Sequence, residues 1–226
     1  MPDVGTLEEQ GDHREQLAAL VRSARKAGRK AVTSGRWLAD TVVDLAPRIP
    51  VRDAATLSKH HDGATGAVLA RRLVRSSGNV SAAIGGAAGG IMAVQELSVA
   101  GAVAIPFELA AETALVVLVE LKLVAELHEV AGRELPDGVK DRSAAVVKAW
   151  LSGRGITATG LVLSRGAPDL LSRATRARLA RVLRRRYVRN LTTVLPFLTG
   201  AAIAAVLNRR ATVAIGKALA KDLELT

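Results

Sequence analysis

The chain has 226 residues, a formal net charge of +11 and an apolar content of 49%, of which almost none is aromatic. One hydrophobic core is the default at this length, and a core of Ala, Val and Leu suits closely packed helices. The absence of cysteine excludes a disulfide framework and a thiolate metal site, and residues 1–16, with Asp3, Glu8, Glu9, Asp12 and Glu15, lack the basic start and apolar stretch of a signal peptide.

Apolar residues recur at helical spacing along most of the chain, without alternating runs flanked by hairpin turns. This predicts an all-α fold, a single helical-bundle domain of about eight to ten helices with close-packed Gly/Ala-rich central helices. Residues 1–12 are expected to be a polar tail and residues 13–226 the domain. Asp12 and Glu15 form a capping-box pattern before a stripe of Leu17, Leu20, Val21, Ala24 and Ala31. Arg22, Arg25, Lys26, Arg29 and Lys30 lie opposite, so residues 13–46 begin as a basic, amphipathic helical region. A further helix is predicted over 37–45, ending before Pro47, with 47–50 a rigid link. Asp62-Gly63 marks a turn, and a helix over 64–75 carrying Arg71, Arg72 and Arg75 is expected to stop at Ser76, Ser77 and Gly78.

Residues 76–95 carry no charge and include Gly85, Gly86, Gly89 and Gly90, whose small-x-x-x-small spacings let another helix approach backbone to backbone. Each helical glycine costs roughly 1 kcal/mol relative to alanine, which such packing offsets; a flexible Gly/Ala loop is the competing expectation. Pro106 suits the first turn of a long helix to Val130, closed by Gly132. Along it Glu108, Glu112, Leu115, Val119, Lys122, Glu126 and Glu129 are four and three apart and share one stripe, charged at both ends. The apolar centre, 113–119, is expected to be buried on every side, and the stripe's ends to meet water or basic partners. Asp137-Gly138 opens a helix that runs to Leu151 and ends at 153–155. Pro168 can begin an arginine-rich helix, the uncharged run 190–208 follows, and Arg209 and Arg210 open a last helix to about residue 223.

None of the motifs carries catalytic chemistry. His128-Glu129 begins the zincin pattern, but Gly132 stands where the second histidine ligand is needed. A carboxylate-bridged metal bundle needs Glu-x-x-His, which the sequence lacks, so the glutamate stripe is read as solvated or paired with arginines. Gly153-Arg154-Gly155-Ile156-Thr157-Ala158 has the letters of a dinucleotide fingerprint, yet a helix precedes it where a strand is required. Gly216-Lys217 lacks the rest of a phosphate loop, and no serine occupies a nucleophile elbow. A non-enzymatic protein is expected, with no catalytic residue, metal or cofactor.

Residues 170–221 hold 12 Lys and Arg and no acid, whereas residues 1–169 hold 20 basic and 19 acidic residues, so the positive excess belongs to one segment. Arg173, Arg176, Arg181, Arg184, Arg185 and Arg189, with Arg209 and Arg210 beyond the uncharged run, are candidates for binding an anionic surface, of lipid headgroups or of nucleic acid. Against nucleic acid stand the scarcity of stacking aromatics, only Tyr187 being near, and the lack of a base-reading motif. Toward a membrane points the run 190–208, about 28 Å long as one helix. Its Leu195, Pro196, Phe197 and Gly200 suit a shallow apolar hairpin that leaves both cationic flanks on one surface. A core hairpin of a soluble bundle is the alternative.

The glycine-rich 85–90 segment, then Ile105-Pro106-Phe107-Glu108, the helix to Gly132, and Leu195-Pro196 followed by Gly200, Asn208 and Gly216 together resemble the EcsC-like proteins, over residues 79–226. The resemblance implies a bacterial, all-helical, membrane-associated protein of a family whose founding member is encoded beside an ABC transporter and which has no established biochemical activity. It supplies no catalytic residue. Gln95-Glu96 within the central apolar region and the arginine-rich approach to Pro196 depart from the family pattern and favour a peripheral mode. The expected partner is an anionic membrane surface or a membrane protein, on the cytoplasmic face of the membrane. A soluble scaffold and a nucleic-acid-binding protein using the same arginines are the other readings.

Overall fold

The computed structural model describes residues 4–95, 99–154, 173–194 and 200–226, and among these the chain is helical apart from its connections. The order is α1 (Val4–Ala27), α2 (Arg29–Thr33), α3 (Arg36–Leu45), a short 3-10 turn (Ala46–Arg48), α4 (Ala54–His60), α5 (Gly66–Gln95), α6 (Val99–Val130), α7 (Val139–Ser152), α8 (Arg173–Val194) and α9 (Gly200–Asp222). This is the expected all-α domain. Its most apolar helix takes the centre: α6, about 48 Å long at 1.5 Å per residue, packs against each of the other α-helices. Leu109, Ala110, Ala114, Val116, Val117, Leu121, Leu123, Ala125 and Leu127 are all buried, so α6 is enclosed through its middle except at Leu118, Val119 and Lys122, which are partly exposed and depart from the expectation that 113–119 is buried on every side.

Buried side chains form two clusters along α6. The larger joins Trp37, Leu38 and Val42 of α3, Leu69 and Leu73 of α5, Trp150 of α7 and Leu179 and Leu183 of α8 to α6 from Leu109 to Leu127. The smaller joins Leu17 of α1 and Ile84 and Ala88 of α5 to Ile105, Ala111, Leu115 and Val116.

Several boundaries differ from the sequence expectation. Residues 4–12 belong to α1, so Asp12 sits inside the helix and not at its start; the break comes at Gly28, whose φ of +85° ends the helical path. Ser76, Ser77 and Gly78 do not stop α5, which runs on to Gln95 and is 30 residues long in all. The reason is tertiary: this stretch faces α9, where Ser81 and Thr212 share a hydrogen bond of 2.8 Å and a methyl group on Gly78 would meet Val213. Pro106 lies inside α6, not in its first turn, so α6 lacks one backbone donor there. The last helix begins at Gly200 and runs without interruption through Arg209 and Arg210.

Helices α5 and α9 are antiparallel, with Val74 near Gly216, Gly78 near Val213 and Gly85 near Ala204. At Gly85 a Cβ would sit 2.8 Å from the Ala204 carbonyl carbon and 2.7 Å from Asn208 Nδ2. Backbone cannot give way as a flexible side chain can, so this is a true close approach. Gly86, one residue on, has no atom within 4 Å of the same position, while Gly89 and Gly90 are helical with surroundings outside the described residues. Gly85→Ala is therefore expected to destabilise the protein by about 1–3 kcal/mol through overpacking, and Gly86→Ala to stabilise it by about 0.5–1 kcal/mol through helix propensity. Thermal melting of the two variants, shifted in opposite directions, checks this.

Candidate anionic-surface site and the buried cluster that orients it

Helix α8 has two faces. Thr175, Leu179, Leu183, Arg186 and Tyr187 recur three to four residues apart and are buried. Arg173, Arg176, Arg181, Arg184, Arg185 and Arg189 are exposed on the rest of the helix. α8 lies on α3, where Gly35, at φ +76°, makes room; any β-carbon there would overlap the Ala180 carbonyl. Between α2, α3 and α8 runs a groove of about 610 Å³, lined by Lys30, Arg36, Arg173, Arg176, Arg181 and Arg184, with Asp40 as its one carboxylate among the described residues. Asp40 sits 3.8 Å from Arg176 with both half-exposed, a pair that contributes little stability and leaves the groove strongly positive.

Four of the eight arginines singled out by sequence thus share one groove. Lys30 and Arg36 join them from α2 and α3, a grouping that only the packing of α3 on α8 creates. Arg185 and Arg189 are exposed outside the groove lining. Arg209 and Arg210 are exposed on α9, where Arg209 Nε donates to Asn79 Oδ1 at 3.2 Å. Leu195, Pro196 and Phe197, the expected hairpin, lie outside the described residues; Gly200 is the first residue of α9.

The outward face of α9 combines two characters. Ala204, Asn208, Thr212, Ile215 and Leu219 point inward and are buried. Ile203, Val206 and Leu207 are 39%, 48% and 40% exposed, and the following turns expose Arg209, Arg210, Lys217 and Lys221. No helix among the described residues is long and apolar enough to cross a membrane. Nor, among them, is any group of three or more His, Asp and Glu side chains placed to hold a metal ion.

Inside the bundle lies a polar cluster that the sequence did not reveal. Glu120 of α6 is fully buried. Arg186 Nη1 donates to both of its carboxylate oxygens at 3.0 and 2.9 Å, and Trp150 Nε1 donates to Oε2 at 2.9 Å. Arg154 pairs with Oε2 as well and lies over the Trp150 ring, 4.4 Å from its centroid. Thr212 Oγ1 stands 3.3 Å from Oε1 and 2.8 Å from Ser81 Oγ, so the Ser81 hydroxyl can donate to Thr212 while Thr212 donates to the carboxylate. Burial alone would raise the Glu120 pKa, but the charges of Arg186 and Arg154 outweigh it and hold the group below the usual carboxylate value.

Of the glutamate stripe of α6, Glu129 at its end is partly exposed, while Glu108, Glu112 and Glu126 are buried. Basic partners serve two of them: Arg25 lies 3.8 Å from Glu108, and Lys122 pairs with Glu126 one turn away. Glu112 has only the Asn208 amide, donating to Oε1 at 2.5 Å, and its Oε2 has no partner among the described residues. Burial raises its pKa from 4.5 to about 7, against the lowering effects of Asn208 and the more distant Arg186.

Two predictions follow from charge burial. Arg186→Met removes the more buried of the two cations that neutralise Glu120, leaving only Arg154, and should cost about 3 kcal/mol in chemical denaturation at neutral pH. Glu112 binds its proton more tightly when folded, so its contribution to stability is complete below pH 4.5 and is lost as pH rises through about 7. Glu120 acts in the opposite sense, losing its contribution only as pH falls below the ordinary carboxylate range. Glu112→Gln should therefore flatten the stability profile above pH 4.5 and stabilise the protein at pH 8 by roughly 3 kcal/mol. Denaturation midpoints across that range measure it.

Comparison of the chain with protein-family models, with curated proteins and with solved structures found no match, so its function has to be read from geometry.

Proposed function

We propose that this is a non-enzymatic helical protein that docks peripherally on the anionic, cytoplasmic face of a membrane through the arginines of α8 and the outward face of α9, as an EcsC-like protein would. One observation carries the reading. Ile203, Val206 and Leu207 lie open to solvent on a helix whose next turns present Arg209, Arg210, Lys217 and Lys221. Apolar side chains followed by cations on one outward helix face suit the boundary between acyl chains and phosphates, where the first group leaves water and the second meets charge. A nucleic-acid groove has no use for the apolar residues, and among the described residues the lining of the α8 groove contains no aromatic side chain on which bases could stack.

Sedimentation with vesicles tests the reading. The full chain should bind phosphatidylglycerol vesicles and not phosphatidylcholine vesicles at about 0.1 M salt, with weaker binding as salt rises. Replacing Arg176, Arg181 and Arg184 together with Gln should weaken binding about a hundredfold, at about 1 kcal/mol per cation. Replacing Ile203, Val206 and Leu207 with Ser should remove the part of the binding that survives high salt. A chain that ignores anionic vesicles, or that shifts duplex DNA with equal affinity, does not do what is proposed.

A further inference from the structure

A second cavity, sharing no residue with the basic groove, opens where the two core clusters meet. Leu20 of α1 and Leu118 of α6 pack against both clusters. Between α1, α5, α6 and the turn after α3 they leave a cleft of about 690 Å³, within the roughly 300–1,000 Å³ typical of small-ligand sites. Its wall is apolar, formed by Leu20, Leu73, Val80, Leu115, Leu118 and Val119. Leu118 and Val119 are the two residues of the 113–119 stretch that are not buried, so α6, enclosed elsewhere along that stretch, is open here.

The mouth of the cleft is cationic. Arg48 and Arg52 are exposed there and have no acidic partner among the described residues. Glu126 is the one carboxylate in the lining among the described residues, and Lys122, which also donates to the Pro50 carbonyl at 3.0 Å, neutralises it. Two guanidinium groups without an acidic partner among the described residues thus stand beside the apolar wall of the cleft, whose other polar lining residues, Gln16, His61, Ser76 and Ser77, bear no carboxylate. Among the described residues the lining has no Phe, Tyr or Trp to stack on a base.

We propose that this cleft binds a single long-chain fatty carboxylate, its chain against Leu118 and Val119 and its carboxylate between Arg48 and Arg52. The apolar wall selects the chain, and the arginines select an anionic head over a neutral or cationic one. The site rests on its own geometry and not on the surface assigned to α8 and α9. A soluble probe therefore tests it separately from vesicle binding.

Fluorescence titration of the full chain with cis-parinaric acid, kept below its micelle concentration, is the experiment. One saturable site per chain is expected, emptied by palmitate in competition. The methyl ester should bind on the order of tenfold more weakly, as should the acid to the Arg48→Glu, Arg52→Glu double variant. Val119→Trp fills the cleft and should abolish binding, with circular dichroism melting to separate a lost site from a lost fold. Because Arg48 and Arg52 are exposed, the double variant decides the matter even if Val119→Trp does not fold. Absence of saturable binding, equal affinity for the ester, or unchanged affinity in the double variant overturns the proposal. So does a concentration-dependent dimer that Val119→Trp removes while parinaric acid fails to bind, which assigns the cleft to a second copy of the chain.

Discussion

A carboxylate at the centre of the most apolar helix is the constraint on which the arrangement depends. An isolated charge taken from water into a core costs several kcal/mol, so Glu120 is tolerable only if cations and donors reach it with good geometry. Its partners come from Trp150 on α7, Arg154 just beyond it, Arg186 on α8 and Thr212 on α9, with Ser81 of α5 behind Thr212. Apolar packing alone would let these helices slide or rotate on α6 at little cost. The cluster gives each of them one register.

That register also sets the outer surface. For Arg186 to enter the core with Leu179, Leu183 and Tyr187, α8 must be turned so that Arg173, Arg176, Arg181, Arg184, Arg185 and Arg189 face outward, four of them toward α2 and α3. For Thr212 and Asn208 to face Glu120 and Glu112, α9 must turn Ile203, Val206 and Leu207 out. The buried ion pair and the surface proposed for membrane contact are therefore two sides of the same helices. Close approach makes this possible, since Gly85 brings the backbones of α5 and α9 within reach of short side chains.

Much of the fold was legible because helical periodicity is a local signal: the central helix, the amphipathic first helix and the concentration of positive charge in the last quarter can all be read residue by residue. What was not legible depends on partners far away in sequence. Glu120 lies about a third of a turn off the stripe that joins Glu108 to Glu126, and the arginine that neutralises it is 66 residues on. Ser76, Ser77 and Gly78 carry a strong stop signal that the packing of α9 overrides. Lys30 and Arg36 are unremarkable surface cations until α8 is laid beside them. The cleft at Leu118 is a space between elements, and a pattern within one element does not encode a space.

The antiparallel pairing of α5 with α9 bears on how the chain is made. Ser81 and Thr212 are 131 residues apart, so at roughly 5–20 residues per second α5 leaves the ribosome on the order of ten seconds before its principal partner exists. During that wait its face toward α9 is bare. A face of leucines and isoleucines would be an aggregation hazard for as long, whereas one in which Gly78, Ser81 and Gly85 follow the single Val74 exposes little apolar area. The small residues that later let two backbones touch also keep the nascent helix inert until its partner arrives.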